Sequence, residues 1–334
     1  MKQESLALGL VDSHGRRIHY IRLSLTDRCN FRCVYCMPCH GTAFIPHEEI
    51  LSFEELLRFC RLTAALGVTH YKITGGEALC RRGSLAFIEK LTQIAGIEQV
   101  TLTTNGTLLP QSLQSLAAAG IRSINVSLDA LSQQVFSRIT RSSVPIEDIL
   151  FVLEQAKQMG MQIKINTVPI QDYNESELVP LANYALVRGF PLRFIELMPV
   201  GEGKRFLGIP LEQINKLMEQ TFGKLRPYQA RLGNGPARYF QVQGYATPIG
   251  YIAALSDTFC KNCNRVRLTS WGFLKTCLHH DIGTNMKRLL RTSASDAEIL
   301  STIIQTVNKK PFAHTFCRPV QEVSLDLAMN SVGG

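Results

Sequence analysis

The chain has 334 residues, 45% hydrophobic and 19% charged, a balance that excludes a largely disordered protein and leaves room for one large domain plus a smaller one. No uncharged apolar stretch is long enough to read as a membrane span. The net charge of +9 suits polyanionic partners, but the Lys and Arg residues never form a run of five, which weighs against nucleic acid and leaves a phosphorylated small molecule in view.

From about residue 17 to about 225, β-rich runs alternate with helical patterns. Strands are predicted at 18–25, 69–74, 99–103, 123–128, 162–168 and 192–197. The first helix is announced by Ser52, which precedes Phe53-Glu54-Glu55 at capping-box spacing. Pro110, Pro180 and Pro210 mark further helix starts. Alternating strand and helix gives a parallel sheet with crossover helices. Six such units are too few to close an eight-stranded barrel, so the expectation is an α/β fold, a partial (βα)6 TIM-like barrel. After about residue 225 the composition shifts: strands are predicted at 238–242 and 249–255, and helices near 286–291 and 297–307. The division is therefore 1–225 for the barrel and 226–334 for a smaller C-terminal domain.

In open parallel sheets, chemistry collects in the loops after the strands. Those loops hold the cysteines after the first strand, Gly75-Gly76-Glu77, Thr104-Asn105-Gly106, Asp129 and Met198-Pro199-Val200-Gly201. The ten cysteines stand at 29, 33, 36, 39, 60, 80, 260, 263, 277 and 317. The N-terminal segment lacks an apolar signal core, so the expectation is a cytoplasmic, reduced chain whose clustered cysteines bind metal. Cys29, Cys33 and Cys36 are spaced C-x3-C-x2-C. Three thiolates leave a zinc site one ligand short, whereas they hold three irons of a [4Fe–4S] cluster and leave the fourth open. Cys39 is a candidate fourth ligand. Cys260 and Cys263 form a second pair, followed by Cys277. Read alone, that group fits either a zinc ribbon completed by His279 or His280, or a second open cluster. Cys60 falls on a helix's apolar stripe, and Cys80 and Cys317 have no partner spacing.

The segment from Cys29 to Cys36, with Tyr35 before its last cysteine, resembles the signature of the radical S-adenosylmethionine (SAM) superfamily. Gly75-Gly76-Glu77 is similar to that superfamily's second motif, which engages the amino group of SAM; Ala78 replaces the usual proline. The run from Phe259 to Leu278, with its Asn264-Arg-Val-Arg-Leu-Thr, resembles the C-terminal motif of the GTP 3′,8-cyclases, which catalyse the first step of molybdenum cofactor biosynthesis. The terminal Gly333-Gly334 matches that family's ending.

The resemblance implies two [4Fe–4S] clusters, on Cys29, Cys33 and Cys36 and on Cys260, Cys263 and Cys277. It implies SAM contacts at Tyr35, Gly76, Ser127 and Met198. GTP contacts are implied at Arg22, Lys72, Thr103, Lys164 and the run Arg265-Val266-Arg267, with Lys72 standing where relatives often carry arginine. Gly333 and Gly334 are implied to be catalytic, as a tail inserted into the site. The implied reaction removes the ribose 3′ hydrogen of GTP with a 5′-deoxyadenosyl radical and closes a bond to guanine carbon 8. An electron donor, a downstream cyclic pyranopterin monophosphate synthase and a homodimer are the implied partners, with no nucleic acid and no membrane. Two rival readings are a multi-cluster maturase acting on a peptide or protein, and a non-enzymatic zinc or iron–sulfur protein that binds nucleic acid.

Overall fold

A computed structural model describes residues 9–257, 259–316 and 329–332. Gly333, Gly334 and Cys317 lie outside the described residues. In chain order the first elements are β1 (Tyr20–Ser24), α1 (Phe53–Ala65), β2 (His70–Thr74), α2 (Ser84–Thr92), β3 (Gln99–Thr104), α3 (Leu109–Ala118) and β4 (Ser123–Ser127). There follow α4 (Gln133–Thr140), α5 (Ile146–Gln158), β5 (Gln162–Thr167), α6 (Leu178–Arg188), β6 (Leu192–Ile195) and α7 (Leu211–Phe222). The C-terminal elements are β7 (Arg226–Pro227), β8 (Arg238–Gln241), β9 (Ile249–Ile252), β10 (Arg265–Leu268), β11 (Phe273–Lys275), β12 (Gly283–Asn285), α8 (Lys287–Arg291), α9 (Asp296–Asn308) and α10 (Met329–Val332).

The first helix starts as its sequence predicts. Ser52 Oγ accepts from Glu55 N at 3.2 Å, and the Glu55 carboxylate accepts from Ser52 N at 2.6 Å. Pro110 stands in the first turn of α3, Pro180 in that of α6, and Pro210 directly before α7. Leu56, Phe59, Cys60 and Leu62 form the buried stripe of α1, so Cys60 is a core residue.

β1 to β6 lie side by side and parallel, in sequence order. The C-terminal segment extends this sheet at both edges: β10 pairs parallel with β1, and β9 pairs parallel with β6. Eight contiguous parallel strands result, flanked by the antiparallel β11–β12 on one side and β8–β7 on the other. The ends of the sheet do not pair with each other. The fold is therefore an open, partial TIM-like barrel.

Strand side chains alternate between two environments. Ile21, Leu23, Tyr71, Ile73, Leu102, Ile124, Ile165 and Phe194 are buried in one apolar core beneath the crossover helices. The intervening residues, among them Arg22, Lys72, Thr101, Asn125, Lys164 and Arg193, make the other, concave face polar. Among the described residues, no helix is long and apolar enough to cross a membrane.

Candidate active site

The loop after β1 carries Cys29, Cys33 and Cys36, all half-buried. It is held against the end of α4 by Arg32 N and Val34 N, which donate to Thr140 O and Ile139 O, each at 2.9 Å. Phe31 packs edge-on to Phe136, ring centres 5.7 Å apart. Burial pushes the Cys29 thiol up to about 11 and the Cys36 thiol to about 12. Cys33 is raised by burial and then by Cys36, Asp129 and Cys29. Three desolvated thiols that raise one another suit a cationic iron core, which removes the protons and rewards the negative charge.

Two neighbouring loops close on this one. Gly76 N donates to Thr26 O at 2.7 Å, and Glu77 N to Arg28 O at 2.8 Å. A Cβ at Gly76 would lie 2.4 Å from Arg28 O, so the two backbones meet with no room for a side chain. The Glu77 carboxylate is engaged inside the protein. It accepts from Leu79 N at 3.1 Å, Thr104 Oγ1 at 2.9 Å and Asn105 N at 2.7 Å. It therefore braces the loop after β3 against the loop after β2. Asn105 Nδ2 reaches towards the Cys29 sulfur at 3.9 Å.

Tyr35 donates its hydroxyl to Asp129 Oδ2 at 2.7 Å. Asp129, also an acceptor for Val168 N at 2.8 Å, is pushed up to about 6 by burial. Ser127 and Met198 are half-buried, at the end of β4 and after β6. Cys80, which sequence spacing left without a partner, is exposed and adds to the raising of the Cys29 thiol. Cys39 is exposed. The short α10 reaches the same rim: the Asn330 backbone N–H opposes the raising of the Cys36 thiol, and Asn330 Nδ2 donates to Asp27 O at 2.7 Å.

Below the rim, the concave face gathers cations. Registered pairing puts Arg267, Arg22, Lys72 and Thr101 in one row across β10, β1, β2 and β3. Thr103, Asn125 and Lys164 continue across β3, β4 and β5. Burial and then mutual repulsion pull these groups down: Lys72 feels Arg193, Arg22 and Lys164, and Arg267 feels Arg22 and Arg265. Lys164 falls to about 8 through burial and Arg193. Arg193, which sequence reasoning missed, is 6% exposed and donates to Asn125 Oδ1. Its signal was available, since it is the charged residue between apolar Leu192 and Phe194 in a strand that alternates. Val266 is 1% exposed and belongs to the apolar core, so its side chain lies on the face opposite Arg265 and Arg267.

The second thiol set stands at the other end of the same strands. Cys263 precedes β10, whose first residue pairs with the first residue of β1, and Cys277 follows β11, which runs back antiparallel. Cys260 and Cys263 share a tight turn, with Cys263 N donating to Cys260 O at 3.1 Å. The Cys260 thiol is raised, by burial and then by Cys277 and Cys263. His279 pairs through Nε2 with Thr315 Oγ1 at 2.8 Å, and His280 Nε2 with Ala313 O at 3.0 Å. Among the described residues, no three His, Cys, Asp or Glu side chains converge on a single ion. A four-iron cluster takes its thiolates at separate corners and needs no such convergence.

Residues 23–185 match the family model for the radical SAM superfamily, and residues 190–316 match that for Molybdenum Cofactor Synthesis C. A GTP 3′,8-cyclase of Thermodesulfovibrio yellowstonii is 42% identical over 90% of this chain and 94% of its own length. One from Clostridium perfringens is 39% identical over 91% of this chain and 94% of its own. One from Geobacter sulfurreducens is 38% identical over 97% and 99%. The chain belongs to the GTP 3′,8-cyclase family of radical SAM proteins. In fold it is similar to Streptococcus suis SuiB, with a TM-score of 0.63 at 12% identity over 90% of this chain and 68% of that one. It also resembles anSMEcpe with bound AdoMet, with a TM-score of 0.56 at 17% identity over 85% and 83%. Membership brings SAM and iron–sulfur clusters as cofactors, and the two thiol sets fit two [4Fe–4S] clusters.

Gly76→Ala tests the rim's closeness. Forcing the two backbones apart costs ~1–3 kcal/mol by overpacking, and where that strain falls on the SAM site the affinity drops by about fivefold or more in equilibrium dialysis. The far-ultraviolet circular dichroism of the chain stays unchanged.

Proposed function

We propose that this protein is a GTP 3′,8-cyclase, which uses SAM to convert GTP into 3′,8-cyclo-7,8-dihydro-GTP in the first step of molybdenum cofactor biosynthesis. One observation carries the reading: a concave face lined by Arg22, Lys72, Lys164, Arg193, Arg265 and Arg267, with a three-thiol set at each end of the strands that bear them. At the rise of a parallel strand, the five residues of β1 place those ends on the order of 15 Å apart. That span suits a nucleotide triphosphate lying between them.

In this reading Cys29, Cys33 and Cys36 hold the cluster that binds SAM, beside Tyr35, Gly76, Ser127 and Met198. Cys260, Cys263 and Cys277 would hold the second, beside which the guanine base would lie. When bound, the first cluster and SAM supply the one-electron chemistry that removes the ribose 3′ hydrogen. The protein supplies position. Arg22, Lys72, Lys164 and Arg193 are fixed cations for the triphosphate, and Arg265 and Arg267 bring charge beside the second cluster. Thr103 offers a hydroxyl on the same face. For Gly333 and Gly334, the docking of Asn330 against Cys36 and Asp27 supports a tail that reaches the reacting end. Residues 226–334 then act as the unit that carries the second cluster. An electron donor, a downstream cyclic pyranopterin monophosphate synthase and a second copy of the chain complete the proposal.

Anaerobic incubation with SAM, a reductant and GTP is expected to give 5′-deoxyadenosine together with a cyclised GTP product, read by mass spectrometry. Turnover of ATP or a peptide in place of GTP would overturn the substrate. The two thiol sets separate by mutation. Cys29→Ala abolishes SAM cleavage, whereas Cys260→Ala retains uncoupled SAM cleavage and loses most GTP binding and product. Iron analysis reports about eight irons in the parent chain, as two four-iron clusters require.

Lys164 gives the affinity a pH signature. A phosphate pairs with its protonated form, and with Lys164 held at about 8 that form is present below pH 8. Above it, binding must bring in a proton. The Kd for GTP therefore rises as pH passes about 8, by up to about tenfold per unit. Calorimetric titration from about pH 7 to about pH 9.5 shows the slope, and Lys164→Arg flattens it.

A further inference from the structure

Lys310, just beyond α9, is 3% exposed. Its Nζ donates to the carbonyl of Arg265 at 3.0 Å and to the carbonyl of Thr276. Among the described residues, no carboxylate pairs with it. Lys275, equally buried at 1%, shows the ordinary solution: it is neutralised by Asp281. Among the described residues the hydrogen-bond partners of Lys310 Nζ are the carbonyls of Arg265 and Thr276, and a buried cation calls for a nearby negative charge.

The positions of its acceptors say where that charge lies. Arg265 is two residues beyond Cys263, and Thr276 directly precedes Cys277. The ammonium thus ties together the two backbone segments that carry these cysteines. Arg265 is the other cation at this place, stacked between the rings of Tyr20 and Phe259.

We propose that Lys310 is the counter-ion of the second iron–sulfur cluster, pinning the segments that bear Cys263 and Cys277 and keeping that cluster's reduction potential high. The proposal rests on Cys260, Cys263 and Cys277 holding a cluster. Three thiolates on an oxidised four-iron core leave net negative charge, and reduction adds more. A fixed buried cation stabilises the reduced form most, and net charge and hydrogen bonds around the sulfurs set such potentials.

The test uses the full-length chain, reconstituted anaerobically as parent, Lys310→Met and Lys310→Arg. Iron per chain is measured, and redox titration is followed by electron paramagnetic resonance. The SAM-responsive signal marks the first cluster and the GTP-responsive signal the second. In Lys310→Met, the GTP-responsive midpoint moves to more negative potential, or that cluster's iron is lost, while the SAM-responsive midpoint stays put. Lys310→Arg, which keeps the charge, stays closer to the parent in either readout. A parent-like potential and iron content in Lys310→Met overturns the proposal. Equal loss of the second cluster in both variants also overturns it, because packing alone would then be at stake. A parent chain with a SAM-responsive signal and no GTP-responsive one sinks the two-cluster reading itself, and the proposal with it.

Discussion

Arg22, Lys72, Lys164, Arg193, Arg265 and Arg267 share one concave sheet face, where burial and mutual repulsion penalise most of their charges. Nothing local pays that cost. It is offset by the opposite face of the same strands, where Ile21, Leu23, Ile73, Leu102, Ile124, Ile165 and Phe194 bury against the crossover helices. Each such side chain contributes about 1.5–3 kcal/mol. The strand period of two makes this possible, because every one of these cations except Arg265, which follows Asn264, is flanked by two outward hydrophobes. A face under that repulsion is preorganised for a polyanion, since a triphosphate relieves the repulsion without moving the donors.

The site has a direction because the sheet has one. In a parallel array all carboxyl ends meet at one rim, and there the first thiol set, the glycine pair and Asp129 collect. The second set reaches the opposite end because Cys263 enters β10 at its start and Cys277 leaves β11 as it returns. The cations lie on the strands between. The two thiol sets are therefore separated by about the length of a strand.

Distant segments hold this arrangement in place. Arg16, paired with Asp12 at 2.6 Å, donates to the carbonyls of Cys260, Pro311 and Phe312. It locks the start of the described chain to the second thiol set. Asn330 fastens α10 to the first. Glu77 spans two rim loops with both carboxylate oxygens. These contacts fix the backbone at both thiol-bearing ends.

The strand runs from β1 to β6, the capping box at Ser52 and the spacing of both cysteine sets were legible in the sequence, because each is a local pattern with a local cause. Periodicity, caps and ligand spacing do not depend on what lies across the sheet. The placement of the C-terminal strands was not legible. β9 beside β6 and β10 beside β1 are pairings across long sequence separations, which no window of residues encodes. With them went the outward aim of Val266 and the burial of Lys310 between two cysteine-bearing segments. The sequence by itself determined which groups this protein carries and the chemistry they can do. Tertiary structure alone decided which of them meet, since side-chain direction and buried charge are settled only when separate strands find their register.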